Sequence, residues 1–239
     1  MLTKTNKQRS LPNRDLAAAL TWLHQHCTRK TLEGMARYGI PSDNAFGVSV
    51  ADIRRLAKKL GRSHGLAAAL WTHGCYEARM LACFVDEPAL VTAQQMDGWA
   101  KQFDSWAICD TACFHLFDRT PFAWKKAHQW AKSPKEFVKR AGFALMASFV
   151  AHDKKADDIA FLDLFPLIEL GAKDERNFVK KSVSWALRAI GKRSLALNAA
   201  AIEVGKRLAG SKELSSRWVG KDALRELTNP KLRSRLTAR

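Results

Sequence analysis

Alternating apolar and polar runs are missing from this 239-residue chain, and Tyr occurs only twice. Both scarcities weigh against sheet, and the abundance of Ala and Leu favours helices, so an all-α fold is expected. No window approaches the roughly eighteen consecutive apolar residues of a membrane span, and residues 143–151 form too short a run, flanked by charge. Met1 to Arg14 have no apolar core of the kind a secretory leader needs and are expected to form a flexible basic arm. No Gly-rich phosphate loop or dinucleotide fingerprint is present, which argues against a nucleotide cofactor. None of the seven His completes a His-x-Asp with a distant His, so a facial-triad metal site is excluded. Cys is sparse and odd in number: Cys27, Cys75, Cys83, Cys109 and Cys113. Cys109 and Cys113 share a helical face, but no second pair follows at a zinc-like interval. The five are expected to be buried, reduced thiols, as in a cytoplasmic protein with neither metal nor cofactor. Linkers rich in Gly, Ser or Pro are absent too, so residues 15–239 are read as one domain.

What the chain has in excess is positive charge, +17 with a pI of about 10.0. Lys and Arg that neutralise phosphates release counterions, so a polyanion is the default partner, although ribosomal and membrane-surface proteins share the signature. The cations have a pattern. An aromatic is followed three residues later by a slot that usually holds Arg or Lys: Tyr76 to Arg79, Phe103 to Trp106, Phe137 to Arg140, Phe178 to Lys181 and Trp218 to Lys221. The copies begin 27 to 41 residues apart, the period of stacked helical pairs. The spacing therefore predicts a curved solenoid of about five or six HEAT-like repeats with the slots on neighbouring helices. Four residues beyond each slot stand Cys83, Asp110, Ala144, Trp185 and Arg225. Charge and indole are common on this face, so it is expected to be open and to form a basic groove, with Arg79, Lys139, Lys180, Lys181, Arg188, Lys221 and Arg225 as DNA contacts.

Local signals place the helices. Thr28 reads as a helix start, and Ser49 with Asp52 predicts a helix over 50–60. Tyr38 to Gly47 is too rich in turn formers to be helical. Gly61, Gly74, Pro88, Gly98, Pro121, Pro134, Gly171, Gly191, Gly210 and Pro230 punctuate the rest, Pro166 is expected to kink a core helix, and residues 230–239 to fray.

One copy breaks the pattern. Trp106 fills the slot a cation takes elsewhere, and Asp110 stands one turn further on. Trp22, Trp71, Trp99, Trp124 and Trp130 are assigned to the core, whereas Trp106 and Trp185 fall in the register of the groove. The alternative role for Asp110 is an ion pair with Arg140 or Lys139. A carboxylate in a phosphate groove nevertheless costs affinity, and chemistry is one reason to keep it. Two indoles would favour a nucleoside whose base is positively charged. Asp110 would stabilise the oxocarbenium-like sugar as the base departs and would orient the attacking water, and Arg140 would hold the adjacent phosphate. A module that binds nucleic acid or protein without catalysis would carry the same array and charge.

The run Phe103-Asp104-Ser105-Trp106-Ala107-Ile108-Cys109-Asp110, Arg140 within Phe137-Val138-Lys139-Arg140-Ala141, and Trp185 within Val183-Ser184-Trp185-Ala186-Leu187-Arg188 resemble the bacterial alkylpurine DNA glycosylases of the AlkD type. The resemblance covers roughly residues 20–225. It departs at Ala107, where an acid is expected. It implies a HEAT-like array that hydrolyses the N-glycosidic bond of 3-methyladenine and 7-methylguanine in double-stranded DNA, and a basic array that must embrace a duplex is expected to be a monomer. No cofactor is implied. No sequence pattern isolates a desolvated Lys for Schiff-base chemistry, so a monofunctional enzyme that leaves an abasic site is expected.

Overall fold

The computed structural model describes residues 11–237, all of whose regular structure is helical. Residues 1–10 of the expected basic arm lie outside the described residues, and Leu11 to Arg14 open the first helix instead. Two compact units are formed, one from residues 11–96 and 104–120, the other from 97–103 and 121–237.

The first unit contains α1 (Leu11–Gln25), α2 (Arg29–Arg37), α3 (Val50–Leu60), α4 (His64–His73), α5 (Tyr76–Val85), α7 (Trp106–His115) and a short 3-10 turn, Phe117–Arg119. Helix α6 (Ala93–Ala100) contributes residues to both units. Helices start where the sequence supplies a cap. The side chains of Thr28, Ser49, Ser63 and Ser105 accept the backbone N–H of Thr31, Asp52, Leu66 and Ile108, each worth about 1 kcal/mol. Helix α3 ends on Gly61 and α4 on Gly74, both at positive φ, where a side chain would be strained. Helices α3, α5 and α7 pack side by side, and α4 backs α5 and meets α1.

The second unit contains α8 (Ala123–Trp130), α9 (Glu136–His152), α10 (Asp158–Leu162), α11 (Phe165–Gly171), α12 (Asn177–Ile190), α13 (Leu195–Ala209), α14 (Leu214–Leu227) and α15 (Pro230–Thr237). One layer runs α9, α12, α14, and each member is backed by a partner: α8 on α9, α11 on α12, α13 on α14. This is the helical-pair repeat the spacing predicted. Tight crossings make it possible. A Cβ at Gly142 of α9 would lie 2.4 Å from the backbone nitrogen of Ala131, just past α8, and one at Gly220 of α14 would lie 2.4 Å from that of Ala209 at the end of α13.

Several expectations are corrected. Pro166 lies in the first turn of α11, where its missing N–H costs nothing, rather than kinking a helix. Gly98 sits inside α6. Residues 230–237 form α15, pinned by buried Leu232 and Leu236. Cys27 is exposed, while Cys75, Cys83, Cys109 and Cys113 are buried. Burial pushes the Cys75 thiol up to about 11 and those of Cys83 and Cys113 well above their usual range, so these are packing groups. Trp71, Trp99 and Trp130 join the core. Trp22 is half-buried and stacks on His26 at 3.6 Å, and Trp124 is half-buried on Phe149 at 4.2 Å.

Candidate functional site

Helix α7 has Trp106 as its first residue because Ser105 caps it. Ala107, Ile108, Cys109, Ala112 and Cys113 fill the buried side. Trp106 and Asp110, one turn apart, remain half-buried on the other. The Trp106 indole N–H donates to the carbonyl of Tyr38 at 2.8 Å, which fixes the plane of the ring. Tyr38 closes α2, and the irregular segment that follows is anchored by a residue the sequence reading passed over, Glu77. This wholly buried carboxylate on α5 accepts the backbone N–H groups of Phe46 at 2.9 Å, Gly47 at 2.7 Å and Val48 at 3.1 Å. Asn44 adds a bond to the Gly74 carbonyl at 3.2 Å and accepts the Tyr76 N–H at 2.9 Å. The acid was visible within an apolar stretch, but its partners lie about thirty residues upstream.

In the second unit the aromatics of the repeating register explain themselves. Phe137 and Phe178, each near the start of its helix, meet at 5.5 Å between α9 and α12. Arg140, three residues beyond Phe137, is buried, and its Nη1 donates to the Phe178 carbonyl at 2.7 Å. Trp185 stands half-buried on α12, two turns along from Phe178. Thus Trp106 and Asp110 share one helix of the first unit, whereas Arg140 and Trp185 stand on two packed helices of the second.

The candidate DNA-contact cations divide by their partners. Arg79 lies 3.2 Å from Asp104 and 5.4 Å from the Trp71 ring. Lys139 pairs with Asp174 at 2.9 Å, and Arg176 grips the same carboxylate through two nitrogens at 2.9 and 2.6 Å. The Arg176 guanidinium, aided by Lys139, holds the Asp174 carboxyl well below the usual carboxylate range. Arg188 bonds to Glu226 at 2.8 Å and approaches Asp222 at 3.6 Å. Burial alone would raise the Glu226 carboxyl, but Lys192 and Arg188 outweigh it and hold it low. Lys180 is half-buried, 5.5 Å from the Trp218 ring. Lys181, Lys221 and Arg225 are exposed, the last bonded to Asp222 at 2.7 Å. The face expected to be open is closed at three positions: the slot residue Arg140 is buried, and Cys83 and Ala144 are wholly buried, where small side chains let α5 pack closely on its neighbours in the first unit and α9 on its neighbours in the second. Among the described residues no group of three or more His, Cys, Asp or Glu could hold a metal ion, and no helix is long and apolar enough to cross a membrane.

Helical pairs packed in successive layers define a HEAT-like array. The model of the DNA alkylation repair enzyme family matches residues 19–227, and the chain belongs to that family. A solved structure described as "a new family of proteins related to the HEAT-like repeat DNA glycosylases with affinity for branched DNA structures" has a TM-score of 0.74 and 18% identity, covering 89% of this chain and 95% of that chain. At that identity the likeness shows the fold, a HEAT-like repeat. No curated protein sequence matches the chain.

Proposed function

We propose that the protein is a monofunctional DNA glycosylase that removes cationic alkylated purines, such as 3-methyladenine and 7-methylguanine, from duplex DNA and leaves an abasic site. The observation that carries the reading is the pair on α7: an indole fixed by the Tyr38 carbonyl with a half-buried carboxylate one turn away, in a chain of the alkylation-repair family.

The chemistry suits these groups. As the bond from C1′ to the base nitrogen breaks, its electron pair passes to the base and neutralises it, and positive charge grows on the sugar. Asp110 stabilises that charge and takes a proton from the water whose oxygen bonds to C1′. Trp106 and Trp185 favour the cationic base over a neutral one. Arg140, whose Nη1 donates to the Phe178 carbonyl, is the cation assigned to the phosphate beside the lesion. Lys181, Lys221 and Arg225 are the exposed cations assigned to the duplex backbone.

Methylated duplex DNA, followed by analysis of the released bases, tests this. Wild type should release free alkylpurine and leave the backbone intact. Asp110→Asn should lower single-turnover excision by about 10²–10³ while DNA affinity stays within about threefold, because a transition-state interaction is removed and not a phosphate contact. Unchanged excision by the variant refutes the assignment. Binding without excision by wild type would favour a role in DNA binding alone; the solved neighbour is described as having affinity for branched DNA structures.

A further inference from the structure

Helix α3 lies outside the repeating register, yet it carries a dense group of uncompensated charge. Its exposed residues include Arg54, Arg55, Lys58 and Lys59, and Arg62 follows just after Gly61. Asp52, the one acid on the helix, is engaged by Ser49 and Arg55. No carboxylate pairs with Arg54, Lys58, Lys59 or Arg62 among the described residues. Nearby Asp86 is wholly buried and held by His64 at 2.6 Å and Gln95 at 2.7 Å, and only its backbone carbonyl accepts from Arg62. Like charges four residues apart repel, so Arg54 over Lys58 is a local cost.

Three of these cations line a cleft of about 320 Å³ formed by Arg54, Ala57, Lys58, Gly61, Arg62 and Phe84, with no acid among them. The Arg54 guanidinium lies 5.5 Å from the Phe84 ring centre, and its Nη2 is 3.2 Å from His115 Nε2. Phe84 and His115 are themselves 4.9 Å apart, centre to centre. The guanidinium is therefore held at the cleft rather than swinging in solvent, with an aromatic floor beneath it.

We infer that this cleft on α3 binds the phosphodiester backbone of a DNA strand, with Arg54, Lys58 and Arg62 on phosphates and Phe84 against a sugar or base. The spacing favours a polymer over a single anion. Arg54 and Lys58 are one turn apart, about 6 Å along the axis, and Arg62 lies beyond the helix end, so one phosphate cannot neutralise all three. An aromatic beside the cations suits a nucleotide, which presents an apolar face as well as charge. The inference rests on the DNA reading above but not on excision.

The test is fluorescence anisotropy with the full chain and an unmodified labelled duplex across a salt series. Arg54→Ala/Lys58→Ala should bind at least about tenfold more weakly near 0.1 M salt, and the slope of log Kd against log salt should fall by about 2. Lys154→Ala/Lys155→Ala, which removes the same charge from an exposed loop, should leave the slope near wild type. A slope unchanged in the α3 variant, or reduced equally in both, overturns the cleft. Failure of wild type to bind any duplex overturns the cleft and the proposed function together, whereas binding without excision leaves the cleft standing. All four residues are exposed, so matching thermal melts confirm that each variant folds.

Discussion

The Glu77 carboxylate, wholly buried in the first unit, holds three backbone N–H groups, and its removal has a calculable consequence. One oxygen, Oε1, accepts Gly47 and Val48, and the other, Oε2, accepts Phe46. Hydrogen bonds to a charged group contribute about 1.5–3 kcal/mol each, and buried donors left unmade cost a comparable amount. Glu77→Ala abandons all three donors together and should destabilise by about 4.5 kcal/mol or more, a large share of the roughly 5–15 kcal/mol that holds a domain. Glu77→Gln is the more discriminating variant. Its amide oxygen can replace Oε1 and keep two bonds, but the amide nitrogen then faces the Phe46 N–H, donor against donor. One bond is lost, so the expected cost is about 1.5–3 kcal/mol.

Urea denaturation gives the global figure, and amide hydrogen exchange shows where it falls. Protection of the Phe46, Gly47 and Val48 amides should drop by a factor of about ten or more in Glu77→Gln, while amides in the centres of α9 and α12 follow only the global change. A Gln variant within about 0.5 kcal/mol of wild type, with the three amides still protected, would refute the claim that Glu77 holds this segment. The consequence reaches the candidate site, because the carbonyl that fixes Trp106 belongs to Tyr38, at the other end of the same segment.

The second unit supplies two more expectations. Asp174 has a depressed folded-state pKa, so its contribution is fully present above its unfolded value near 3.9 and is lost as pH falls further. Chemical denaturation from pH 5 to pH 2 should show wild type losing on the order of 2 kcal/mol more than Asp174→Asn, and parallel curves would refute the role of the Arg176 and Lys139 pairing. Gly220→Ala would place its Cβ 2.4 Å from the Ala209 nitrogen and 2.6 Å from the Gly205 oxygen, so α14 must move off α13 at a cost of about 1–3 kcal/mol. A melting temperature lowered by about 3–10 °C is expected, against no loss for Gly34→Ala, where a Cβ meets nothing within 4 Å.

Local signals were legible because their partners are adjacent in sequence: Ser49 caps α3 three residues before Asp52, and Thr28 caps α2 in the same way. Pro166 misled because proline starts helices as readily as it kinks them, and only packing decides which. The recurring aromatic was legible because it marks where adjacent repeats touch, as Phe137 and Phe178 do. The residue four beyond each slot was not, because burial there depends on how closely neighbouring helices approach, and Cys83 and Ala144 lie inside.

Charge was legible in sum but not in place. Arg79 meets Asp104 after 25 residues, Lys139 meets Asp174 after 35, and Arg188 meets Glu226 after 38. Those separations resemble the repeat period itself, which runs from 27 to 41 residues. Successive repeats thus supply carboxylates to one another's cations, and the array neutralises part of the stripe its sequence advertises. Charge that remains available to a polyanion must lie where no following repeat provides an acid. Among the described residues Lys181 and Lys221 meet that condition within the register, and Arg54 and Lys58 meet it on α3, which lies outside the register.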